Sequence, residues 1–375
     1  MGGTSSMMNF RGHLTPWRGL DIPTTVISPA ISPAPRDAWE VVLRSDPNAL
    51  ESQSPAWTDA ACATGTFEDA SRLYETVDGR LLVLPMLRRR HTVGALSVEA
   101  SNPPGWGVGG LLAPGGPTTA EVATVFSELA GRRVLTQRLW PNPLAAASWA
   151  EGAPVKAKAT EHVAHLIDLG GGFDHVWSKL FHKSSRRGAR HAEREGVRVE
   201  CDNTGRLIPE FYDLHSQAVR RWSRLQHEPE WMAMRRHRRN DGREKFDAIA
   251  RCLGERCQVW VARIGRTPIA SMIVLQGNNA YDFRAAMDED HTSYRANDLL
   301  LRLAICDACR AGCGFYYMGD SGHSVTLAQF KERFGARPYD YAEYLLERLP
   351  ISAAERSLKR AVKRAVGFRD SGLIG

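Results

Sequence analysis

The chain has no apolar run near the roughly 18 residues a membrane-spanning helix needs. Its Ser-, Thr-, Pro- and Gly-rich N-terminus lacks the apolar centre of a secretory signal. Both absences predict a globular protein of the cytoplasm. Cysteine is sparse: seven residues, an odd number scattered over 375 positions, which argues against a disulfide framework and for reduced thiols. Cys306, Cys309 and Cys313 fall along one stripe of a predicted helix without a fourth ligand, and His215, His237 and His323 have neither zinc nor base–nucleophile spacing, so no metal is expected. Gly105, Gly107 and Gly110 satisfy GxGxxG, but no helix opens at the last glycine, which leaves a glycine loop rather than a dinucleotide site. Gly319-Asp320-Ser321-Gly322 has the look of a serine-nucleophile segment but lacks matching His and Asp segments.

Positive charge is present and unevenly spread. The net charge is +7, yet residues 177–198, 218–245 and 350–375 together carry +14, so the rest of the chain is net negative. Concentrated charge of this kind attracts polyanions. Lys183, Arg186, Arg187 and Arg190 recur at three-to-four spacing on a helix predicted from Asp174 to Glu195, a cationic face for phosphates. A second patch around Arg235 and Arg236, through Arg239, is expected in a loop. Neither reads bases.

The 43% hydrophobic content can bury a large core, and the length suits two domains. Residues 1–36 read as a flexible leader. A helix near 37–44 precedes strands at 71–76 and 80–87 joined by Asp78-Gly79, a hairpin turn. A helix opening at Thr118 or Thr119 and a strand at 134–139 follow. The second half repeats the order: strands at 258–263, 268–276 and 280–286, a helix at 297–311, and a strand at 314–318. Between them lie a strand at 162–169 and helices at 209–224 and 244–253. Hairpin, helix, strand thus occurs twice, which predicts a mixed α/β chain of two copies of one domain, at 37–160 and 161–349. The tail 350–375 opens on Ser352-Ala353-Ala354-Glu355, a capping-box pattern, ahead of a basic helix that packs on the protein or lies on an anionic membrane as a peripheral contact.

The second half resembles the Fem-type peptidyltransferases. The basic stretch Phe181–Val197, ending Ala192-Glu193-Arg194-Glu195-Gly196-Val197, is followed in the family's order by Pro268-Ile269-Ala270-Ser271, Tyr281-Asp282-Phe283-Arg284, Asn297-Asp298-Leu299-Leu300, Gly319-Asp320 and Phe330-Lys331-Glu332-Arg333-Phe334-Gly335. The resemblance covers residues 160–345 and is carried most by Phe-Lys-x-x-Phe-Gly. It implies two tandem acetyltransferase-like (GNAT-like) domains with mainly antiparallel central sheets. It also implies transfer of an amino acid from aminoacyl-tRNA to an amine of a peptide, peptidoglycan precursor or small metabolite, with no metal or bound cofactor. Lys331 then supplies positive charge to the oxyanion, Asp320 or Asp282 assists the amine, and Phe330, Tyr281, Phe283 and Arg284 contact the acceptor. Lys183, Arg186, Arg187, Arg190, Arg235 and Arg236 would meet tRNA phosphates. Phe283-Arg284-Ala285 replaces the family's usual tyrosine and glycine, a departure at the acceptor side. An acyl-CoA N-acyltransferase is the first alternative, but the segment after 280–286 is acidic and glycine-free where CoA enzymes place a glycine-rich pyrophosphate loop. A non-catalytic RNA-binding protein is the second.

Overall fold

A computed structural model describes residues 30–350 except Val93 and His323, together with Ser352 and Ser357. In chain order the first half contains α1 (Arg36–Ser45), α2 (Pro55–Ala63), β1 (Phe67–Asp69), β2 (Arg72–Glu75), β3 (Leu81–Leu84), β4 (Leu87–Arg89), β5 (Val98–Ala100), α3 (Thr119–Gly131), β6 (Thr136–Leu139) and α4 (Ala146–Gly152). The second contains β7 (Lys158–Asp168), α5 (Gly172–His175), α6 (Lys183–Arg194), β8 (Arg198–Asp202), α7 (Ile208–Leu225), α8 (Glu230–Asn240), α9 (Arg243–Leu253), β9 (Cys257–Ile264), β10 (Thr267–Gln276), β11 (Ala280–Met287), α10 (Ala296–Arg310), β12 (Phe315–Asp320), α11 (Val325–Glu332) and β13 (Arg337–Glu347).

Eleven strands form one sheet in the order β1-β4-β5-β6-β13-β7-β12-β11-β10-β9-β8. It is mainly antiparallel; the two parallel pairings, β5/β6 and β11/β12, each close a strand–helix–strand unit through α3 and α10. The helix and strand of each expected copy, α3 with β6 and α10 with β12, belong to these units, whereas the first-half hairpin does not. The last strand among the described residues, β13, lies between β6 and β7 and pairs antiparallel with both, so residues 337–347 join the halves. The boundary expected at residue 160 falls inside β7.

Four local expectations change. The Asp78-Gly79 hairpin forms, but as a separate two-stranded sheet. Its strands are buried on both sides, with Leu73 and Val83 in the cluster around Trp39 and Tyr74, Leu82 and Leu84 in the cluster around Phe126, so it packs between layers. The expected helix from Asp174 to Glu195 is broken: Phe181 turns extended, His182 caps α6 through its ring nitrogen, and the His182 N–H donates to the Arg333 carbonyl at 2.8 Å. Tertiary contacts of Phe181 with Phe334, ring centroids 5.2 Å apart, override the local pattern. Arg235–Arg239 lie on α8, not in a loop. The end of the expected leader is packed: Ile31 bridges Leu73, and Ala34 is buried with its N–H on Ser71 Oγ. The basic tail, apart from Ser352 and Ser357, lies outside the described residues.

Alternation along the strands separates two cores. Ile273, Leu275, Tyr281, Phe283 and Tyr317 point to a face covered by α2, α7 and α9. Met272, Val274, Ala280, Tyr316 and Met318 point to the other, covered by α6 and α10.

Candidate functional site

The parallel strands β11 and β12 pair only at Ala280 with Tyr316 and Tyr281 with Tyr317, then diverge. A bulge causes this on one side: Ile273 of β10 opposes Arg284 and Val274 opposes Asp282, which leaves Phe283 without a partner and bends β11. Asp282, Gly319 and Asp320 border the gap so opened. Lys331, the last-turn lysine of α11, fills it, with its Nζ donating to the carbonyls of Gly319 at 2.9 Å and Asp320 at 2.6 Å.

Local sequence explains how Lys331 reaches there. Ser324 caps α11 by accepting from the Leu327 N–H, and the helix ends where Phe334 buries completely between Phe181 and Phe330. Gly335 follows at φ +86°, and a Cβ there would sit 2.5 Å from Leu180 Cβ, so this position accepts only glycine. The Phe-Lys-x-x-Phe-Gly motif thus anchors the helix and aims its lysine.

Lys331 is 5% exposed. Burial pushes its ammonium down to about 8, opposed by Asp282 and Asp320. Burial pushes the Asp282 carboxyl up to about 7 against the pull of Lys331 and Arg284. An ammonium has three donors, and two are taken by carbonyls. One N–H therefore remains to meet a developing negative charge, beside a carboxyl that titrates near neutrality.

Asp320 is occupied differently. Its carboxylate accepts from Tyr317 OH at 2.9 Å and from Tyr341 OH at 2.8 Å, and His162 Nδ1 stands 3.5 Å away. Tyr341 in turn accepts from Trp140 Nε1 at 2.7 Å. His162 lies between Asp320 and Glu343, which raise it to about 9. The network holds Asp320, and with it the carbonyl that receives Lys331. Nearby His165 is buried and lowered, first by burial and then by the Lys331 charge.

The other expected acceptor residues fall elsewhere. Tyr281 stacks on Tyr317 with centroids 4.7 Å apart, and Phe283 packs edge-on against Trp57, both in the core of the α2–α7–α9 face. The bulge turns Arg284 to that same face, where it donates to the Gly105 carbonyl at 2.7 Å and to Asp241 at 3.2 Å. Lys245, unremarked in the sequence, joins it: buried, bonded to Gly105 O and Asp241 Oδ1 at 2.7 Å each, and pushed down by burial to about 8. The GxGxxG loop is therefore a latch from the first half onto the second, with Trp106 stacked beneath Lys245 at 4.7 Å. Beside this cluster a cavity of about 170 Å³ is lined by His215, His237, Asp241 and Trp222 among others. Phe330 packs on Phe334 and under Arg333.

The basic residues divide between the faces. Lys183, Arg186, Arg187 and Arg190 line one cavity of about 330 Å³ with Trp177 and Ser178, on the Lys331 face. Arg235 and Arg236 sit on α8, which packs against α7 across the sheet, and Arg236 is held bidentately by Glu228. The sequence missed Lys245, Asp241, His162 and Tyr341. An Asp-x-x-x-Lys spacing did mark the first pair, but surface pairs share it.

With this geometry in view, comparisons with known proteins show what the chain is similar to. The acetyltransferase (GNAT) domain family matches residues 179–332, the stretch from the start of the basic face to just past Lys331. The crystal structure of FemX shares the fold at TM-score 0.60 and 11% identity, over 85% of this chain and 97% of that one. A conserved protein of unknown function from Bacteroides thetaiotaomicron VPI-5482 does so at TM-score 0.52 and 8% identity, over 85% and 99%. No curated protein matches the sequence. Residues 179–332 are thus similar to an acetyltransferase (GNAT) domain, and the chain has the fold of FemX. No helix among the described residues is long and apolar enough to cross a membrane.

Proposed function

We propose that the chain is an aminoacyl-tRNA-dependent acyl transferase that forms an amide bond between a tRNA-borne amino acid and an amine of a peptide, peptidoglycan precursor or small metabolite. One observation carries the reading: where β11 and β12 part, the Lys331 ammonium donates to the Gly319 and Asp320 carbonyls and keeps one N–H free, with Asp282 bordering the same gap.

In the reaction the amine nitrogen attacks the ester carbonyl carbon. Lys331 donates to the oxyanion that forms. Asp282, half ionised near neutral pH, accepts the proton the amine sheds. Collapse breaks the bond to the ribose oxygen, which leaves with the proton that Asp282 returns, and the new C–N bond remains. Asp320 keeps a positioning role, because its carboxylate already accepts from two tyrosines.

The segment from β11 to α10 supports tRNA over CoA. It carries Asp288, Glu289 and Asp290, and Asp288 spends its own carboxylate on the Asp290 N–H and His291. A pyrophosphate would meet carboxylates where CoA enzymes offer bare amides. Purified protein mixed with labelled aminoacyl-tRNAs or labelled acyl-CoA, and a panel of amines, tests the reading. Ribonuclease-sensitive amide formation supports it; transfer from acyl-CoA alone overturns it.

A further inference from the structure

The cavity on α6 lies outside the reacting centre and has an unusual composition. Its lining holds four cations, one serine and one tryptophan, with no carboxylate. Acids around α6 are otherwise engaged: Glu193 pairs with Arg302, Glu195 faces His191, and Asp298, against Gly188, pairs with Arg295. Arg186 forms a fixed part of the wall, since its guanidinium donates to the carbonyls of Trp177 and Ser178 at 3.1 and 2.6 Å. Arg302 and Arg190 both lie against the Trp177 ring, at 5.1 and 5.7 Å. Lys183, Arg187 and Arg190 are exposed and form no ion pair among the described residues. From Lys183 to Arg190 the helix rises about 10 Å, longer than a single phosphate and suited to successive phosphates of one strand.

This cavity is tied to the reacting centre through few atoms. Leu180 packs on Gly335, Phe181 on Phe334, and the His182 N–H holds the Arg333 carbonyl, two residues beyond Lys331. Gly188 lets α6 approach α10 closely: a Cβ there would meet the Asp298 carboxyl at 2.7 Å. The cation row and Lys331 thus ride on one packed unit, on the same face of the sheet.

From this we infer that the α6 cavity is the subsite that grips consecutive backbone phosphates near the acceptor end of the donor RNA and so sets the ester at Lys331. The inference rests on the proposed aminoacyl-tRNA donor. Arg235, Arg238 and Arg239 on α8 face the other side and take no part.

Binding of uncharged bulk tRNA, followed by fluorescence anisotropy across a salt series, tests it without any turnover. The variant Lys183→Ala/Arg187→Ala/Arg190→Ala should bind at least about 10-fold more weakly near 0.1 M salt, with the slope of log K against log salt reduced by about 2 to 3. A single Arg187→Glu variant, changed at an exposed position, should show the same direction. In transfer assays the triple variant should raise KM for charged tRNA while kcat holds. Wild-type tRNA affinity in the triple variant would overturn the inference. So would loss of binding in Arg235→Ala/Arg238→Ala/Arg239→Ala instead, or displacement from the cavity by CoA or ADP where tRNA fails to compete. If the α6 variants lose tRNA binding but the wild-type protein transfers no amino acid, the subsite stands and the proposed reaction falls; transfer unaffected by the α6 variants sinks only the subsite.

Discussion

His162 should make the protein's stability depend on alkaline pH in a way that removing one side chain abolishes. Its imidazole sits between Asp320 and Glu343 and is raised to about 9 from 6.5, chiefly by Asp320 and then Glu343. A folded value above the unfolded one means the folded state holds the proton more tightly. That stabilisation is fully present below pH 6.5 and is lost as pH rises through 9. At about 1.36 kcal/mol per unit, the span corresponds to roughly 3 kcal/mol. The side chain is 21% exposed, so solvent screening leaves most of it. Urea unfolding of wild type and His162→Gln at pH 6, 7.5 and 9.5 should give a gap of about 3 kcal/mol that shrinks toward zero at the highest pH. An NMR titration of the ring C–H should place its midpoint near 9. A midpoint near 6.5, or a gap that does not change with pH, would refute the reasoning.

Other consequences follow from the same geometry. Asp282→Asn should lower transfer about 10²- to 10⁴-fold. It should also flatten the stability profile between pH 4 and 7, because a carboxyl raised from 3.8 to about 7 favours the fold at low pH and loses that contribution as pH rises through 7; unchanged turnover would remove Asp282 from the mechanism. Gly335→Ala should cost about 2–4 kcal/mol, from positive φ and collision with Leu180, read as a lowered melting temperature. Lys245→Met should cost roughly 3–5 kcal/mol, because Asp241 would keep Arg284 alone while Gly105 O loses a donor; a variant as stable as wild type would deny the latch.

Much of the fold was legible because local chemistry agreed with tertiary context. The β9–β10 hairpin matches the strands expected at 258–263 and 268–276, and α10 and α3 show helical spacing, the latter opening at Thr118 with a capping box to Glu121 that the structure adds. Helix 174–195 failed because Phe181 has a better partner in Phe334, more than 150 residues away. Strand β13 was missed, though Tyr339, Tyr341 and neighbours alternate, since its burial depends on two flanking strands from different halves. Lys331 was found through the resemblance alone: the rest of α11 is polar or partly exposed, and no periodicity marks this lysine as the buried one. The Asp320 network draws on residues 140, 162, 317, 320 and 341, a set with no sequence spacing to read.

The central claim is that Lys331 and the divergence of β11 and β12 serve acyl transfer from an RNA ester. The most direct test compares wild type with Lys331→Met for amide formation from labelled aminoacyl-tRNA, with folding checked by circular dichroism. The account predicts ribonuclease-sensitive transfer by the wild type and a loss of about 10²- to 10³-fold in kcat for the variant. Equal kcat in the two proteins, or transfer that ribonuclease leaves intact, would contradict it.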